Sequence, residues 1–142
     1  MLFEWSAVAG RFALALVSAG SFAPGVASGQ PAMASEAALR GYQLLLQRQD
    51  SGCVLCHRIP GLAVGGEIGP SLQGLAARSG AAVVRERIAD PRRFNPDTVM
   101  PAYLSLSGLT NVAQAYQGKT ILTEQGLDDI VAYLMRPDGV RP

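Results

Sequence analysis

The sequence predicts an all-α fold, and three observations predict it. An amphipathic stripe at helical spacing lies near each end of the chain. The middle is broken by Gly and Pro and carries only weak strand signals. Both cysteines and the single histidine fall within "CVLCH" at 53–57, a crowding that points to one object needing two thiols and an imidazole together. At 142 residues the chain has room for one domain. A formal charge of +1 argues against nucleic acid or an anionic membrane as partner.

Along the chain, "RFALALVSAGSFAPGVASGQPAMA" is an apolar run behind Arg11 that gives way to small residues. Val26-Ala27-Ser28 fits the cleavage pattern of a secretory signal, which sets the expected signal at 1–28, with cleavage as late as 34 if Ala32-Met33-Ala34 is used. Gly20, Pro24 and Gly25 break the ~20 apolar residues that a membrane-spanning helix needs, although an uncleaved anchor is the competing reading. The expected mature domain is 35–142, exported to the periplasm and free of the membrane once the signal is removed. Aromatic residues make up only 6% of the sequence, a thin supply of bulk for a domain near 100 residues, so a large planar cofactor could complete the core.

Ser35 is a candidate N-cap for a first helix ending near Gln49 or Asp50, with Ala38, Tyr42, Leu45 and Leu46 along one face. Gly41 within it suggests close approach of another backbone. "RIPGLAVGGEIGPSLQG" reads as irregular loop. Ser79 is a candidate cap for a helix at 81–89 with Val84 and Ile88 inward, and Pro91 stops it. "PRRFNPDTVMPAY" holds three prolines and reads as extended loop. Residues 118–121 are the nearest thing to a strand. Thr123 caps the last helix, Glu124 favours its positive end, and Leu127, Ile130, Val131 and Leu134 form its apolar stripe before Pro137.

Cys53-Val54-Leu55-Cys56-His57 is the C-x-x-C-H attachment pattern of c-type haem. Cysteines three apart share one side of a helical turn and can reach the two vinyl groups of one porphyrin, and the next residue, His57, then lies under the iron. Three other uses of these residues compete with haem attachment. Structural zinc needs four ligands arranged around one ion. A C-x-x-C redox dithiol expects a preceding strand, and none is signalled before Cys53. A disulfide between residues three apart closes a very small loop and stabilises little. For the sixth iron ligand there is no second histidine. Met1 lies in the expected signal, Met33 beside its possible cleavage sites, and Met135 at the end of the last helix. Met100, held in the proline-rich loop, is the favoured thioether ligand. A gap-filling role for Met100, with an open or externally ligated iron, is the competing reading. No catalytic group is recognisable in the chain. Arg85, Arg87, Arg92 and Arg93 cluster before Met100, and they suit either propionate or partner contacts or a solvated face.

In order along the chain, Gly41-Tyr42, Cys53-x-x-Cys56-His57, Ile68-Gly69-Pro70-x-Leu72-x-Gly74, the Val-Met100-Pro loop and "DDIVAYL" resemble a monohaem class I cytochrome c. The resemblance implies crossing N- and C-terminal helices, with Gly41 in close contact near Tyr133, and long Gly/Pro-rich loops around one covalently attached haem c. It also implies that the Pro70 carbonyl orients His57. "ADPRRFNPDTVMPAY" followed by "QGKTILTEQGLDDIVAYL" is similar to the SoxX family, the small haem subunits of SoxAX thiosulfate-oxidising complexes, whose distal methionine carries over to Met100. That likeness implies a heterodimer with a SoxA-like cytochrome subunit bearing the reactive cysteine. It further implies indirect dealings with a thiosulfate carrier protein and a downstream electron-acceptor cytochrome. The alternatives are a free-standing periplasmic electron carrier and, from another class, a CxxC thiol–disulfide protein.

Overall fold

The two apolar stripes at the ends of the chain pack against each other. The computed structural model describes the backbone of residues 30–137 and the side chains of 36–137. The expected signal at 1–28 lies outside the described residues, as do 138–142 at the far end of the expected domain. Five α-helices follow in order: α1 Gln30–Leu46, α2 Cys53–Cys56, α3 Leu75–Arg78, α4 Ala81–Ala89 and α5 Glu124–Leu134. Short 3-10 turns occupy Pro91–Arg93 and Gln114–Tyr116. Among the described residues there is no strand, and no helix is long and apolar enough to cross a membrane.

Helix α1 starts earlier than expected. Ser35 lies inside it and is not its cap, because Pro31-Ala32-Met33-Ala34 extends the helix: Pro is harmless in the first turn and Ala and Met are strong helix formers. It also ends earlier, at Leu46. The Ser51 hydroxyl donates to the carbonyls of Leu44 (2.6 Å) and Gln47 (3.2 Å), taking up acceptors at the helix end. Ala38 and Leu45 are buried as expected and Tyr42 is half-buried, whereas Leu46 is exposed.

Gly41 faces α5 with no room for a side chain. A Cβ there would collide with the backbone carbonyl of Asp129 and come within 2.9 Å of the Ile130 nitrogen, one turn before the Tyr133 contact anticipated. Tyr42 and Tyr133 pack with ring centroids 5.4 Å apart beside this crossing. Arg40 closes the same contact with a two-pronged ion pair to the buried Asp129, both bonds 2.8 Å, and Gln125 donates to Asp129 at 2.9 Å. Helix α5 follows its sequence pattern: Thr123 Oγ1 accepts from Gly126 N at 3.0 Å, and Leu127, Ile130, Val131 and Leu134 are buried.

Other local expectations needed correction. Gly80, not Ser79, precedes α4, because Ser79 is held extended at the end of α3 with its N–H on Leu75 O. The proline-rich segment is not simply extended. The Asp90 side chain accepts from Arg92 N to start a 3-10 turn at Pro91, and Asn95 Oδ1 accepts from Asp97 N to start the next turn. Residues 118–121 form turn and bend with no strand pairing.

Hydrogen bonding from Arg40 holds the Asp129 carboxyl below the ordinary carboxylate range. A carboxylate whose folded pKa is depressed stabilises fully above its unfolded value, near 4, and loses that contribution as pH falls through the folded value. Thermal melts between pH 7 and pH 2 should therefore show stability falling in acid. Asp129→Asn should be less stable than the parent at pH 7 and lose less on acidification.

Candidate functional site

Gly52, in the left-handed region at φ 64°, turns the chain into α2, the single helical turn Cys53–Cys56. Cysteines three apart on such a turn share a face. Both are free and partly buried, and burial pushes the Cys53 thiol pKa up. Val54 between them points into the core. His57 leaves the turn in an extended conformation (φ −117°, ψ 143°) while its N–H still bonds Cys53 O at 3.0 Å.

The loop that follows doubles back and straps this turn through backbone bonds. Gly66 N donates to Val54 O at 3.0 Å, Gly69 N to Cys56 O at 2.8 Å and Leu72 N to Arg58 O at 2.8 Å. These three ties deliver the Pro70 carbonyl oxygen to 2.7 Å from His57 Nδ1. A carbonyl can only accept, so Nδ1 carries the proton in this contact and the ring's other nitrogen, Nε2, keeps its lone pair for a ligand role. Gly69 lies against the imidazole face, where a Cβ would come within 2.7 Å of Nδ1 and 2.8 Å of Nε2. Arg78 on α3 holds the strap from the other side through the carbonyls of Ser71 and Gln73.

Met100 comes from a separate segment. Its N–H bonds Thr98 Oγ1 at 3.2 Å, and its half-buried side chain packs against the core and lines a cavity of about 250 Å³ with Pro101, Leu109 and Lys119. Tyr103, three residues on, ties this segment to the CxxCH turn: its hydroxyl donates to Ser51 O at 2.6 Å and lies 3.8 Å from Cys53 Sγ. The structure thus gathers Cys53, Cys56, His57 and Pro70 into one constellation, with Met100 on an adjoining segment. Sequence reasoning missed Gly69, Arg78 and Tyr103. Gly69 was visible only as part of a motif, and the other two act through contacts that sequence spacing does not encode.

The arginine cluster divides. Arg85 bridges α4 to α5 through Asp128 (2.7 Å) and Glu124. Arg92 is held by Asp90 at 2.8 Å and by Ser105 and Ser107. Arg87 stacks on Phe94 at 4.6 Å. Arg93 donates its backbone N–H to Asp90 O at 3.3 Å, and its side chain makes no hydrogen bond or ion pair among the described residues.

The donor set fits a c-type haem: two thiols on one turn, an imidazole with Nε2 available, and a thioether on a second segment. Gly69 leaves the imidazole face clear of any side chain at that position. Ile68 and Val99, which precede Gly69 and Met100, are apolar yet 73% and 84% exposed, the kind of surface a planar hydrophobic group would cover.

The chain is similar to the crystal structure of SoxXA from P. pantotrophus, with 28% identity over 68% of this chain and 78% of that one, and a TM-score of 0.59. No family model and no curated protein matches it. Strand-free among the described residues, with its terminal helices packed across each other, the chain has the all-α architecture of a cytochrome c.

Gly69→Ala should force the imidazole off Pro70. The expected result is loss of the slowly exchanging Nδ1 proton of His57 in NMR spectra, with a stability loss of about 1–3 kcal/mol in denaturant melts.

Proposed function

We propose that this chain is a periplasmic monohaem c-type cytochrome, the electron-transfer subunit of a SoxAX-type L-cysteine S-thiosulfotransferase. The observation that carries the reading is the strapped CxxCH turn, with His57 Nδ1 fixed 2.7 Å from the Pro70 carbonyl and Nε2 left for a metal. The likeness to SoxXA, at 28% identity, supports the narrower assignment to a thiosulfate-oxidising complex.

In this reading Cys53 and Cys56 would hold the haem by thioether bonds, His57 Nε2 and Met100 Sδ would ligate its iron, and Pro70 fixes the ring angle of His57. Haem c would supply a one-electron iron couple, raised in potential by the soft thioether. The core wall formed by Val54, Ile59 and Tyr103 keeps water from the inner side of the turn. Joining thiosulfate to a carrier-protein cysteine forms one S–S bond and releases the thiol proton and two electrons. The reactive cysteine belongs to a SoxA-like partner, since both thiols here are committed to attachment. This subunit takes the electrons singly and hands them to a downstream acceptor cytochrome. The periplasmic address rests on the expected signal at 1–28.

A haem stain after denaturing electrophoresis tests the chemistry, because only thioether-bound haem survives it. The native chain should stain and a Cys53→Ser/Cys56→Ser variant should not; a colourless native chain would fit the thiol–disulfide alternative instead. Met100→Ala should lose the low-spin Met/His spectrum and fall in reduction potential. An unchanged spectrum would move the ligand elsewhere.

Affinity capture from periplasm tests the pathway. The expected co-purifying species is a second haem protein with a reactive cysteine. Its absence would leave a free-standing electron carrier as the better reading.

A further inference from the structure

Tyr103 is buried, at 3% exposure, and stands where three parts of the chain meet. Its backbone N–H bonds Ile88 O at 3.3 Å, and Leu104 N bonds Ala89 O at 3.0 Å, so this segment takes up acceptors at the end of α4. Its carbonyl accepts from Leu122 N at 3.1 Å, just ahead of α5. These ties fix Tyr103 to the α4–α5 side of the molecule.

The hydroxyl reaches the other way. It has one proton, and Ser51 O, at 2.6 Å, can only accept, so the proton goes there. The oxygen lies 3.8 Å from Cys53 Sγ, which keeps no proton to donate once it is a thioether, so the bond to Ser51 O is the one that carries the tie. Ser51 is itself clamped to the end of α1 through Leu44 and Gln47. Met100 lies only three residues before Tyr103, no more than about 10 Å of chain, with Pro101 stiffening the link and Ala102 buried.

We propose that Tyr103 is a positioning residue for Met100: its hydroxyl locks the methionine-bearing segment to the Cys53 end of the CxxCH turn and so sets how firmly Met100 is held opposite His57. This rests on the haem and Met100 reading above. Loss of the hydroxyl leaves the buried Ser51 carbonyl without this donor and removes the tie between the Met100 segment and the Cys53 end of the turn, while the bonds to α4 and Leu122 remain. Haem attachment itself does not require the hydroxyl.

The test compares the native holoprotein with Tyr103→Phe. Each ferric form is titrated with imidazole, which competes with Met100 for iron, while the Met-to-iron charge-transfer band and the reduction potential are recorded. Tyr103→Phe should retain haem on denaturing gels, bind imidazole about tenfold more tightly and shift to lower potential. Thr123→Ala, which removes the α5 cap, serves as a stability control. It should lower the melting temperature with no change in imidazole affinity. Ser51→Ala, which frees the acceptor from α1, should shift affinity in the same direction as Tyr103→Phe by a smaller factor, and it carries the test if Tyr103→Phe does not fold. Native affinity in both variants, or an equal change in Thr123→Ala, overturns the inference alone. A native protein with no Met-to-iron band overturns the Met100 reading and the inference with it.

Discussion

The rest of the molecule depends on one backbone-to-backbone approach, where α1 passes over α5 at Gly41. Only a residue without a Cβ lets Asp129 O come so close, and the closeness brings the buried faces of both helices together. Leu45, Leu127 and Ile130 then share one core, and Arg40 and Asp129 register the crossing along its axis. From that core Tyr133 reaches Pro60 O at 2.6 Å, fixing the chain just beyond His57. The crossing therefore anchors both the approach to the CxxCH turn and the exit from it.

The site is built mainly from main-chain contacts. Its strap hangs on three N–H···O=C bonds, its imidazole is oriented by a carbonyl, and its Tyr103 hydroxyl bonds another carbonyl. Such an arrangement tolerates variation in side chains as long as the glycines and the proline remain. It also explains how a short chain with few aromatic residues can hold the His57 ring at one angle. The rigidity comes from segments crossing at close range rather than from a large apolar core.

This division accounts for what the sequence disclosed. The terminal helices were legible because a stripe at helical period, with a Thr123 cap, belongs to one contiguous stretch. The CxxCH turn and the Pro70 partner were legible as motifs. The end of α1 was misread because Ser51 terminates it through its side chain, a contact that no propensity reports. Helix α3 is a single turn and too short for periodicity to register, and it took Ser79 away from α4. Tyr103 carried no signal of its own in the sequence, since its partners lie 50 and 52 positions away.

The pairing of Arg85 and Arg92 with neighbouring carboxylates has a bearing on encounter. With those guanidinium groups neutralised by Asp128, Glu124 and Asp90, and with a formal charge of +1 overall, the outer field is faint. A docking protein would find little long-range pull to guide it, and its approach would be governed by diffusion and short-range fit. Added electrolyte would then change the frequency of productive collisions only slightly.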